Sequence, residues 1–267
     1  MNTIQTQHFI QSKRQLLLIS ITLIALVSMF FVAPIEQDLS YHQFADKQTL
    51  FLIPNFWNVV SNLPFILVGI LGLYVLRNKQ SATTYLLGTL PELRMAYITF
   101  FVGVFLTGFG SSYYHWNPIN STLLWDRLPM TISFMAFFTV IIGENISIPL
   151  ARKVFYPLLF LGIASAVYWI VTESNGAGDL RPYALVQFLP VLLIPLILWL
   201  YPSPFNGQRY IAYVIGAYVI AKIMEHFDHQ IFEILGVMSG HAIKHVIAAV
   251  GTYCFYLALK KRRKTVG

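Results

Sequence analysis

Ser239-Gly240-His241-Ala242-Ile243-Lys244-His245, running straight into Val246-Ile247-Ala248-Ala249-Val250-Gly251-Thr252-Tyr253-Cys254-Phe255-Tyr256-Leu257-Ala258-Leu259, decides how this chain is to be read. The run 246–259 is almost wholly apolar and suits a helix in lipid. His241 and His245 are four residues apart, so on a helix both imidazoles leave one face and can reach a common ion. Ionisable groups at a membrane helix are costly unless paired, and so they mark a site. The alternative is that the two histidines cap the helix and face water at the interface.

The rest of the composition agrees with a membrane setting. The 267 residues are 57% hydrophobic and only 11% charged, with a mean hydropathy of +0.64. A soluble domain carries about a quarter charged residues, so an all-α, polytopic membrane helix bundle is expected. The single cysteine, Cys254, excludes a disulfide framework and a cysteine-based metal site. The net charge of +7 does not indicate nucleic acid, because the basic residues gather at the ends of apolar runs, as in Lys260-Lys261-Arg262-Arg263-Lys264.

Apolar runs begin at 16–32, which ends before Pro34 and reads as an uncleaved first helix rather than a signal peptide. Further runs fall near 56–76, 95–114, 126–142, 154–171, 183–200, 210–224 and 241–259, giving about eight spans. The segment 85–87 is too short to span. If the spans alternate, Lys13/Arg14, Arg77/Lys79/Arg94, Arg152/Lys153, Arg209 and the C-terminal cluster share one side, and the acidic loops share the other. Both termini are then cytoplasmic. The expected organisation is 1–33 as tail and extra helix, 34–55 as outer loop, 56–259 as a seven-helix core and 260–267 as basic tail.

On that map Ser111 and His115 end the third span, Asp126 opens the fourth, and His241 and His245 open the last, all towards the outer face. Three histidines make a zinc site of the catalytic kind, with a fourth position free for water. Zinc would bring that water's pKa towards about 7. Asp126 is then the candidate general base and acid. Ser111, one turn before His115, is the candidate oxyanion donor; Ser112 points about 100° away. Singly, His115 could belong to an interfacial aromatic belt, and Asp126-Arg127 could be a surface ion pair at a helix start.

These residues resemble the alkaline ceramidases, within a superfamily of seven-span hydrolases that includes adiponectin-type receptors. The likeness lies in Ser111-x-x-x-His115, Asp126 in a D-x-L-P-M context, His241-x-x-x-His245, and Phe56-Trp57-Asn58-Val59-Val60-Ser61-Asn62, and it covers about 46–259. It implies seven core helices, zinc on His115, His241 and His245, Asp126 acting on the zinc water, and Ser111 on the oxyanion. The expected reaction is cleavage of a ceramide-like lipid amide. Eukaryotic members carry an acidic calcium site before the first core helix, including a Glu where this chain has Asn55. Calcium is therefore not carried over, beyond what Asp46 and Asn55 alone could offer. The Gly178-Asp179-Leu180-Arg181 loop and the Ser-Gly-His helix start are closer to bacterial members, which implies a bacterial inner membrane.

His226 and His229, with Glu225 and Asp228, read as a solvated loop rather than a second metal cluster; Asp228 could instead orient a zinc histidine. Asp179 and Arg181 either close the site's mouth or pair with each other. Lys244, off the ligand face, is expected to snorkel to headgroups. The competing functions are hydrolysis of another lipid amide or ester, and a lipid sensor whose zinc is structural. Direct ligation by Asp126 would favour the sensor. Metal or proton transport would want ionisable residues in mid-span, and the fifth and sixth spans have none.

Overall fold

The computed structural model describes residues 3–77 and 88–265, with side chains from residue 12 onward. The expectations resting on Lys79 and on 85–87 lie outside the described residues. The chain is all-α: α1 (Thr3–Ser28), α2 (Phe56–Val60), α3 (Leu63–Leu76), α4 (Arg94–Trp116), α5 (Asn120–Asn145), α6 (Ile148–Ser174), α7 (Arg181–Leu200), α8 (Arg209–His226), α9 (Asp228–Leu235) and α10 (Gly240–Lys261). Among the described residues six segments are long and apolar enough to cross a membrane, with α2 and α3 together forming the first. The pair α8 and α9, bent by 77°, makes a seventh if counted as one span.

Local chemistry sets the helix ends. Proline stands in the first turn of α3, α6 and α7, where its missing N–H costs nothing. Ser239 caps α10 by accepting from the Ala242 amide. Gly236 closes α9 in the left-handed conformation, φ 68°. The helix α9 is not among the spans read from the sequence, which takes Asp228 and His229 as part of a solvated loop. Its sequence, Asp-His-Gln-Ile-Phe-Glu-Ile-Leu, is too short to span and turns the chain back towards α10.

In the bundle α4 packs between α3 and α5, α5 also meets α6 and α7, and α10 lies along α8 and α3. Small residues let the backbones close in. At Gly110 a Cβ would fall 1.9 Å from the Trp125 carbonyl oxygen, so α4 and α5 are in near contact there. The centre is aromatic: Phe255 of α10, fully buried, meets Phe100 of α4 edge-on at 4.9 Å and Phe137 of α5 at 5.0 Å. At the end of α10 away from the histidines, Arg262 pairs with buried Glu144, which also accepts from Tyr97, while the Arg262 Nε donates to the Gly88 carbonyl at 2.7 Å. α1 leans on α7.

Candidate metal centre and its cavity

α4 and α10 bring His115, His241 and His245 together. One ring nitrogen from each lies within 4.8 Å of the others, and all three side chains are buried. His115 is wholly buried, which removes the aromatic-belt reading. Its Nε2 is 3.2 Å from the Nε2 of His245. Two nitrogens bound to one tetrahedral zinc at about 2.0–2.1 Å would sit about 3.3 Å apart. Among the described residues the His241 Nε2 is buried with no hydrogen-bond partner, a costly state that a shared cation would relieve. The residues therefore fit a metal ion, and among the described residues no carboxylate joins the cluster.

The support around the histidines comes from distant segments. Ser61, at the break between α2 and α3, meets the Nδ1 of His245 at 2.9 Å and leaves Nε2 for a metal. Asp228 does not reach an imidazole. One of its oxygens accepts from the His241 backbone N–H at 2.6 Å and the other from the Ala45 N–H at 2.9 Å, so it ties the start of α10 to the outer loop. That loop carries Phe44, whose ring lies 4.7 Å from both His115 and His241. His42, which carried no signal in the sequence, bridges the Tyr114 hydroxyl and the Asn120 side chain. His226 and His229 are exposed and outside the cluster.

Calcium takes six to eight oxygens, and the two residues considered for it in the sequence are partly committed elsewhere. Asn55 donates its amide to the His115 carbonyl, and Asp46 is the lone acid in 41–55. One oxygen of Asp46 is spent on the Gln48 N–H. Burial pushes the Asp46 carboxyl above its ordinary range, countered by that amide and reinforced by Asp228.

Beside the histidines a cavity of about 270 Å³ opens between α4, α5, α7, α8 and α10. Its polar end presents Ser111, Asp126, Arg127, Tyr41, Lys222, Glu225, Lys244 and His245, and its other end is apolar, with Phe65, Phe100, Val104, Phe137 and Ile194. Ser111 lies beside Asp126 in the cavity lining, whereas Ser112 turns away to the Val59 carbonyl. Asp126 and Arg127 lie in the second turn of α5, both buried, and do not form an ion pair. The surface-pair reading fails because α5 begins at Asn120, six residues before Asp126.

Lys244 does not snorkel. It pairs with Glu225 of α8, which also holds Lys222 and accepts from Tyr41 at 3.1 Å. Burial first, then the Glu225 charge, pushes the Tyr41 phenol well above its ordinary value. Asp179 and Arg181 pair with each other at 2.8 Å, and Arg181 also donates to the Met29 and Val32 carbonyls beyond α1.

Fold and site together define an all-α polytopic membrane protein with a buried three-histidine cluster, whose His245 lines the polar end of an amphiphilic cavity. The chain belongs to the ceramidase family, whose model matches residues 45–265. That match covers all five residues singled out in the sequence and makes the protein a hydrolase acting on an amide bond in sphingolipid metabolism. A search of curated proteins returns no match.

Proposed function

We propose that the protein is a zinc-dependent intramembrane amidohydrolase that cleaves a ceramide-like lipid into a fatty acid and a sphingoid base. The observation that carries the reading is the three-histidine cluster, one member of which, His245, lines a cavity that is polar at that end and apolar beyond. His115, His241 and His245 would hold the ion. Zinc, when bound, supplies a Lewis acid and acidifies water at neutral pH.

The protein's own groups supply the rest. The apolar lining of Phe100, Phe137 and Ile194 holds the acyl chain and sets the amide at the polar end. Asp126 takes the proton of the attacking water and returns it to the leaving amine. Ser111 turns its hydroxyl from Asp126 to the carbonyl oxygen as negative charge develops there. Phe44, packed on two of the histidines, keeps bulk water off them. A closed structural centre, as a lipid sensor would have, wants a fourth protein ligand, and the three-imidazole set favours the enzyme. The Lys/Arg bias supports cytoplasmic termini and a site towards the outer face, while the resemblance to bacterial members supports a bacterial inner membrane and the family motifs support 56–259 as the catalytic core.

The test is fatty-acid release from a panel of lipid amides and esters by the purified chain. It is run intact, as His241→Ala and after chelation, with metal content measured alongside. About one zinc per chain with turnover lost in both treated samples is the expected result; zinc bound with no turnover on any lipid would replace the enzyme by the sensor.

A further inference from the structure

Arg127 is the group in the cavity that amide hydrolysis leaves unexplained. It is 7% exposed, and its Nη1 is buried with no partner. Its Nη2 donates to the Gln37 Oε1 at 2.6 Å, and it forms no carboxylate pair. Trp169 covers the guanidinium with its ring centroid at 4.1 Å, and Tyr183 with its at 4.8 Å. Aromatic faces offset part of the cost of a buried cation, but they leave the edge that bears Nη1 without an acceptor.

A second observation points the same way. The cavity lining holds three cations, Arg127, Lys222 and Lys244, against two carboxylates, Asp126 and Glu225. Both lysines share Glu225, and Asp126 faces Lys244, Ser111 and Arg127 together, so one cation remains in excess. The Arg127 Cζ and the Lys244 Nζ each lie 5.9 Å from the Tyr41 ring centroid, so two cations flank one aromatic ring. That ring is 6.4 Å from the His241 ring. A metal at the histidines would raise the positive excess further. Guanidinium edges bind planar or multi-oxygen anions through paired N–H donors.

We infer that Arg127, backed by Lys244, receives an acidic headgroup, so that the ceramide-like lipid of the proposed reaction carries a sulfonate, phosphate or carboxylate near its amide. The acyl chain fills the apolar end, the amide lies at Asp126 and the histidines, and the headgroup anion sits between Arg127 and Lys244. This rests on the amide-hydrolase reading only for where the amide lies.

The test uses the full chain as purified in a neutral detergent. Binding of N-dodecanoyl aminoethanesulfonate, N-dodecanoyl aminoethanol and dodecanoate is measured calorimetrically, with fatty-acid release followed in parallel. The two amides differ only in the acidic group. The sulfonate should bind at least about tenfold more tightly than the alcohol, a gap expected of a charge-assisted pair. Arg127→Gln should close that gap to about twofold while metal content stays unchanged, and Arg127→Lys should keep part of it. Equal affinities for the two amides in the unaltered protein overturn the inference without any variant, so a misfolded Arg127→Gln costs nothing. Dodecanoate binding as tightly as the sulfonate also overturns it, because the cations would then serve the released acid. A sulfonate preference without fatty-acid release upholds the headgroup site and removes the hydrolase, whereas equal release from both amides does the reverse.

Discussion

Asp228 offers the sharpest test of how the centre is held. Its two oxygens accept one N–H from the first turn of α10 and one from the outer loop. Asp228→Ala strands both buried donors, and each hydrogen bond to a charged acceptor contributes about 1.5–3 kcal/mol. The simple sum of about 3–6 kcal/mol overstates the effect on the metal, because the loop can rehydrate and neighbouring losses are not additive. Loss of a group one step removed from the ligands usually lowers metal affinity about 10–100-fold, or about 1.4–2.7 kcal/mol. That is the expected range here. Asp228→Asn keeps a single acceptor and should fall between the variant and the parent. The assay is competition for zinc against a chromogenic chelator in detergent, with helicity checked by circular dichroism. Asp228→Ala with the parent's zinc affinity would refute the claim that this carboxylate sets the position of His241.

Four further outcomes follow from the same geometry. Ser61→Ala frees the His245 ring and should weaken zinc binding about tenfold without unfolding the chain, read by the same competition. Gly110→Ala drives a methyl into the Trp125 carbonyl and moves Ser111 off Asp126; turnover should fall by about a hundredfold while zinc content is retained. Glu144→Gln leaves Arg262 buried without its charge partner and should destabilise by about 3–5 kcal/mol, seen as a lowered thermal midpoint with zinc stoichiometry intact. Asp179 is held below its ordinary value, first by hydrogen bonding from Arg181. A carboxyl lowered by folding lends stability above its unfolded value of about 4, and that stability fades as pH falls through the lowered value. Protection against hydrogen exchange where α1 meets α7, taken relative to the intrinsic rate at each pH, should therefore fall below about pH 4, and Asp179→Asn should flatten that dependence.

The sequence by itself determined the membrane class and the long apolar helices, and it singled out the five residues Ser111, His115, Asp126, His241 and His245. Those signals are periodic or compositional: long uncharged runs, an i,i+4 histidine pair, and polar residues at matching ends of the spans. The structure brings the three histidines into one cluster and keeps Ser111 and Asp126 beside it in one cavity. What only the tertiary structure decided is who meets whom. Ser61 and His245 are 184 residues apart, Ala45 and Asp228 are 183, and Arg127 and Gln37 are 90. No period in the chain encodes such pairings. Lys244 was expected at headgroups because it leaves the ligand face of α10. It is buried instead because α8 carries Glu225 to the same depth, and a buried ammonium is stable only where a carboxylate meets it. Arg127 was legible only as a neighbour of Asp126. Packing of α5 against Trp169 of α6 and Tyr183 of α7 turns it into a buried cation with an unused edge.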